Sequence, residues 1–180
     1  MRISVDFGQD QLDIEYPDEN VLGVWSGPTG LPDSALKPLV LETLDHPLGY
    51  PALRQAVVPG DRVVLPIDPA TPALGPMLHA ICEILQTASV ERDNITILSI
   101  GPRPDSLNGS IPTGLSWHVH DPDDESSRAY LATTPEGRRI YLNREVVDAD
   151  FVLPIGRIGH DPAMGLRGPW SVVFPGLSDT

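Results

Sequence analysis

His118 and His120 stand two positions apart in the run Ser116 to His120. On a β-strand that spacing turns both imidazoles to one side. Such a pair could hold a metal ion, or be an ordinary pair of half-exposed strand histidines. His120 is followed by Asp121 where the strand should end. A histidine there can serve as a general base, because its pKa lies near neutrality. Asp121, Asp123, Asp124 and Glu125 crowd the next stretch. They lack the glycine and distal glutamate of a calcium loop and read as a solvated turn. Ser34-Ala35-Leu36-Lys37 has the SxxK spacing of serine acyl-enzymes without the SDN or KTG partners, so it reads as a helix start. Cys82 is the only cysteine and sits in the apolar run Leu78 to Cys82, the setting of a buried structural thiol. GxGxxG, Walker A and GxSxG patterns are absent, which counts against the simplest dinucleotide, NTPase and α/β-hydrolase readings.

The elements that must position these groups follow from periodicity and turn signals. Ile3, Val5 and Phe7 alternate, as do Leu12, Ile14 and Tyr16, and the two runs predict an N-terminal β-hairpin. Residues 23–33 read as a loop. A helix should run from Pro32-Asp33-Ser34 to about Leu44, with Asp33 or Ser34 as N-cap, and a short helix should cover Ala52 to Val57. Residues 62–67, 94–100 and 151–155 are continuous apolar runs bounded by turns, the pattern of strands buried on both faces. Between the first two, Leu74, Met77, Leu78, Ile81, Ile84 and Leu85 form a helical stripe over residues 74–88. Strand, helix and strand in this order make a βαβ crossover. Ser116 to His120 adds a strand, and Ala129 to Thr133 with Arg138 to Leu142 a hairpin. The glycine- and proline-rich tail from Gly156 to Thr180 carries no closing helix. The fold class is therefore α/β: a mainly parallel, Rossmann-like sheet with flanking helices, plus the N-terminal hairpin.

Open sheets of this kind bind ligands outside the carboxyl ends of their strands. A small-molecule site should then be lined by Asp68, Thr71, Arg103, His120, Arg144 and His160. Four of these are cationic or can become so, which suggests an anionic ligand such as a carboxylate or phosphate. The alternative is that Arg103 and Arg144 only pair with Asp105 and Asp148 at the surface.

The whole is 180 residues long, with 41% apolar and 21% charged residues, the size and make-up of one globular domain. Its 20 prolines are about twice the usual ~5% and punctuate loops. Twelve basic residues, of which only Lys37 is a lysine, face 25 acidic ones for a net charge of -13. Such a field repels nucleic acid and anionic membranes. One cysteine permits no internal disulfide and no thiolate cage. The N-terminus lacks the apolar stretch of a signal peptide, no run reaches membrane-span length, and a reducing cytoplasm is expected.

From about residue 40 onward the chain resembles the N-terminal domain of the nickel-pincer-nucleotide lactate racemases, a family of 2-hydroxyacid racemases and epimerases. The resemblance rests on an ordered set: Asp45-His46-Pro47-Leu48-Gly49, Asp68 with Pro72, Gly101 with Arg103-Pro104, His120-Asp121, Leu142-Asn143-Arg144, Ala149-Asp150, Gly156-Arg157-Ile158, Gly165, Gly168 and Pro175-Gly176. It implies a domain spanning residues 1–180, a C-terminal domain across an active-site cleft, and a nickel-pincer nucleotide that accepts hydride from the hydroxyacid carbon. It also implies two acid/base histidines, a tethering lysine, a nickel-ligand histidine and a substrate-binding arginine. Carried over, His120 matches one acid/base, and Asp68 and Arg103 keep their loops. Thr71 stands at the substrate arginine, Pro102 at the other histidine, Arg144 at the lysine, and Asp161 at the nickel ligand with His160 one place earlier. Trp170-Ser171 replaces a basic residue in the glycine-rich stretch. The resemblance thus implies a domain whose standard active-site set is largely replaced. Two other readings stand beside it: a metal-assisted hydrolase using His118, His120 and His160, and a non-catalytic scaffold whose acidic surface meets a basic partner.

Overall fold

The structure is a computed structural model and describes residues 2–7, 10–23, 30–162 and 165–178. Two compact units divide the chain, residues 1–31 and 32–180. In the first, β1 (Arg2–Phe7) pairs antiparallel with β2 (Asp10–Glu15), placing Ile3 opposite Ile14 and Val5 opposite Leu12. Asp13 receives hydrogen bonds from Ser4 and Arg2, and these hold its carboxyl below the usual range. The loop expected over 23–33 lies largely outside the described residues.

The second unit is built on four parallel strands in the order β5-β4-β3-β8. These are β3 (Val63–Ile67), β4 (Ile95–Ser99), β5 (Ser116–Val119) and β8 (Phe151–Val152). The helices are α1 (Asp33–Asp45), α2 (Leu53–Ala56) and α3 (Leu74–Thr87). In β3 the period-two alternation is visible in what each residue touches. Val63, Leu65 and Ile67 pack with Leu74, Leu78, Ile81, Cys82 and Leu85 of α3, while Val64 faces the opposite layer. That layer is made by the antiparallel pair β6 (Arg128–Thr133) and β7 (Arg139–Asn143), the short α4 (Arg144–Val147), and the tail. Both faces of β3 and β4 are therefore covered, which is why these strands read as apolar runs, while the edge strand β5 is largely exposed.

Several expectations change. The α1 helix has Pro32, not Asp33 or Ser34, at its N-cap and no side-chain cap bond, because proline has no side-chain acceptor; its carbonyl accepts from the Ala35 N–H at 2.9 Å. The strand expected over 151–155 pairs regularly only at Phe151 and Val152, and rejoins β3 through one bridge, Ile155 to Ile67. Arg62 starts that edge: its N–H donates to Asp150 at 2.9 Å and holds that carboxyl low. The tail, expected to carry no closing helix, contains a short one. It forms the hairpin β9 (Gly159–Asp161) and β10 (Gly165–Arg167), then a one-turn helix, α5 (Trp170–Val173). Leu177 is fully buried, and its carbonyl accepts from the Asn143 N–H at 2.8 Å.

Cys82 is buried in the α3 stripe, and burial pushes its thiol up to about 11, Arg92 opposing slightly. The folded state therefore holds this proton more tightly than the unfolded chain, with its ordinary value of 9.0. The resulting stability is fully present below pH 9 and fades as pH rises through about 11. Iodoacetamide at pH 8 is expected to leave the native thiol unmodified and to label it once urea unfolds the chain. Stoichiometric labelling of native protein by mass spectrometry would contradict the burial.

Candidate functional site

The strand ends place Asp68 first. Directly after β3, its N–H donates to the Ile155 carbonyl at 3.1 Å and its Oδ1 accepts from the Ala70 N–H at 2.9 Å. The carboxylate is thereby fixed at the sheet's carboxyl edge, leaving Oδ2 toward Arg157, whose Nε lies 3.5 Å away. The β9–β10 hairpin crosses this edge. It carries His160, Asp161 and Arg167, with Arg167 Nη1 3.4 Å from Asp161 Oδ2. Together with Ile100, Ser171 and Val172 these residues line a cavity of about 230 Å³.

Close backbone packing holds the tail against this edge. A Cβ on Gly156 would come within 3.0 Å of Val172 Cγ2 and 3.2 Å of Pro169 Cα, and one on Gly176 would overlap the Val172 carbonyl. Larger residues at these two positions would lift α5 from the sheet.

The six residues expected to share one site do not do so. Asp68 and His160 line the cavity just described. Thr71 is buried in the turn between β3 and α3, in a separate cavity with Pro104, Ser106 and Ser110, and its hydroxyl has no hydrogen-bond partner among the described residues. Arg103 lies over the Trp117 ring, 5.5 Å from its centroid, and donates to the Leu107 carbonyl at 3.4 Å. Arg144 lines a third cavity, of about 550 Å³, with His118, Asp121 and Glu145, and donates to the Arg128 carbonyl at 2.9 Å. The surface alternative fails too, since these backbone carbonyls, rather than Asp105 and Asp148, receive the two guanidinium groups.

His120 is buried and held at both ring nitrogens. Asn143 Oδ1 accepts from the Glu145 N–H at 3.0 Å, so the amide nitrogen of Asn143 is the group 3.1 Å from His120 Nδ1 and donates to it. Nε2 then carries the proton and donates to the Ser178 carbonyl at 3.2 Å. This hydrogen-bond pattern ties β5, β7 and the tail together, and it leaves neither nitrogen directed at a ligand. His118 does lie on the same side, as its spacing required, and pairs with Glu145. The metal cluster of His118, His120 and His160 is accordingly not assembled. Among the described residues no three His, Cys, Asp or Glu side chains come together to hold a metal ion.

Arg157 and Arg167 were not among the expected site residues. Arg157 lies in a stretch, 156–161, that follows a predicted strand end, but nothing in the pattern of residues 156–176 showed that a hairpin would bring Arg167 to the same cavity.

A four-stranded parallel sheet, layered on both faces and with a charged cavity beyond its strand ends, places this chain among the open α/β domains. Within that class it belongs to the lactate racemase N-terminal domain family, whose sequence pattern matches residues 7–102 and 103–180. The lactate racemase of Thermoanaerobacterium thermosaccharolyticum is 22% identical over 189 residues, covering 98% of this chain and 44% of that protein. The structure of that racemase's apoprotein superposes with a TM-score of 0.65 at 18% identity, over 99% of this chain and 44% of the other. A Thermotoga maritima protein gives 0.56 at 15% identity, over 83% and 39%. The chain thus spans less than half the length of these relatives. Among the described residues no helix is long and apolar enough to cross a membrane.

Proposed function

We propose that this chain is a ligand-binding N-terminal domain of the 2-hydroxyacid racemase and epimerase type, and that it takes a small carboxylate in the Asp68–His160 cavity without catalysing racemisation by itself. The observation that carries this reading is the cavity's place and content. It lies at the carboxyl ends of β3 and β4, and it gathers Asp68, His160 and two arginines. His160 is exposed there and can exchange a proton with a ligand hydroxyl from one face. Asp68 is held rigidly by backbone bonds and can orient that hydroxyl. The cavity is open to solvent, and a C-terminal domain is the partner that would close it.

The family's nickel-pincer nucleotide, when bound, supplies hydride acceptance from the hydroxyacid carbon. The residues of this chain do not fit it. Arg144, at the expected tether, and His160, one place before the expected nickel ligand, line different cavities. Arginine is a poor nucleophile, and the one lysine, Lys37, pairs with Glu83 at 2.6 Å.

Titration of the ¹⁵N-labelled chain with L-lactate and D-lactate tests this reading. Shifts are expected at residues 68, 100, 157–161, 167 and 171. Shifts confined to the cavity of His118 and Arg144, or no shifts at all, would overturn it.

A further inference from the structure

We propose that Arg157 and Arg167 form the carboxylate clamp of this cavity, taking over the task that the family pattern assigns to position 71, where Thr71 stands. The inference rests on the reading above that the cavity receives a small carboxylate. Thr71 cannot supply the clamp: it is buried in a separate cavity and carries a single hydroxyl. A carboxylate is best held by planar guanidinium groups that offer parallel N–H donors.

Both arginines line the cavity from different segments. Arg157 follows the Ile155 bridge, and Arg167 comes from β10, opposite Gly159 in the hairpin register. Each makes one carboxylate contact, Arg157 through Nε at 3.5 Å to Asp68 and Arg167 through Nη1 at 3.4 Å to Asp161. Charge-assisted N–H···O bonds normally close to about 2.7–2.9 Å. These contacts are loose, each uses one of five guanidinium donors, and both side chains remain substantially exposed, 57% and 41%. An incoming carboxylate can therefore engage the remaining donors, or replace Asp68 and Asp161, without leaving a buried charge unpaired.

Size and charge select the ligand class. A cavity of about 230 Å³ lies below the ~300–1,000 Å³ usual for drug-sized ligands, so it suits an acid of a few carbons. Two arginines balance two aspartates here while the whole chain carries -13. The cavity edge is thus a local exception to a field that otherwise repels anions. With its carboxylate on the clamp, a 2-hydroxyacid would turn its hydroxyl toward His160 or Asp68.

The test follows binding of L-lactate by NMR to the full 180-residue chain and to R157Q, R167Q, R103Q and R144Q. Each clamp variant is expected to weaken binding by about tenfold or more, and R157K to recover only part, since lysine keeps the charge and loses the fork. R103Q and R144Q are expected to bind like the parent. In the parent itself the Arg157 and Arg167 Nε–H signals should move on saturation, a readout that survives if a variant misfolds. If lactate binds and those two signals stay still, or R157Q and R167Q bind as tightly as the parent, the clamp is wrong and the carboxylate reading stands. If the parent binds no lactate, the carboxylate reading falls and the clamp with it.

Discussion

Replacing Leu177 with alanine is expected to destabilise the domain by about 2–5 kcal/mol, the range for a buried leucine whose cavity cannot collapse. Leu177 is 0% exposed and packs in the second apolar layer with Val64, Leu98, Leu142, Val146 and Val173. Little can move to fill the space. Its own carbonyl is held by the Asn143 N–H, the next residue's carbonyl accepts from His120 Nε2, and Gly176 lies against the Val172 carbonyl. For a domain of this length the melting temperature should fall by roughly 5–20 °C, measured by circular dichroism against the parent. An exposed leucine, Leu48, is the control and should change little when replaced. A Leu177→Ala melting temperature within a degree or two of the parent would show that the tail does not belong to the core.

The second large effect is an absence of catalysis. Purified chain supplied with the nickel-pincer nucleotide is expected to leave the enantiomer ratio of lactate unchanged over hours, as followed by chiral chromatography. By the family resemblance, interconversion needs the hydroxyl proton to be taken and returned from opposite faces of the hydroxyacid. His160 is the one imidazole among the residues lining the strand-end cavity. His120, matched to a family acid/base, is buried with both ring nitrogens engaged, and proline stands at position 102. Racemisation above a no-protein control would show that this chain alone assembles a sufficient site.

Expectation and structure agree where local pattern is decisive. The runs at 62–67 and 94–100 became the parallel pair β3 and β4, and the stripe from Leu74 to Leu85 became the buried face of α3. Between two covered faces nearly every strand residue must be apolar, and a helix against one face must repeat near every 3.6 residues. Those constraints act within a dozen residues of chain and so are written in order along it. The position of Asp68 and His160 at one edge was readable for a related reason: ligand groups of a parallel sheet follow its strand ends.

What the sequence by itself determined, then, is the α/β class, the central parallel pair and its covering helix, and the acidic field. Tertiary structure decided the rest, because those outcomes depend on partners far away in the chain. His120 became a buried tie, not a free base, through Asn143 and Ser178, 23 and 58 residues distant. Arg103 and Arg144 were drawn away from the strand-end cavity by the Leu107 and Arg128 carbonyls. Arg157 reached it just beyond the Ile155 bridge, and Arg167 because a hairpin of two three-residue strands brings β10 to that edge. Elements that short carry too few residues to show a period. The one-turn helix and Leu177 are held by packing against Val64, Leu98 and Ile100, and only the assembled sheet supplies that surface.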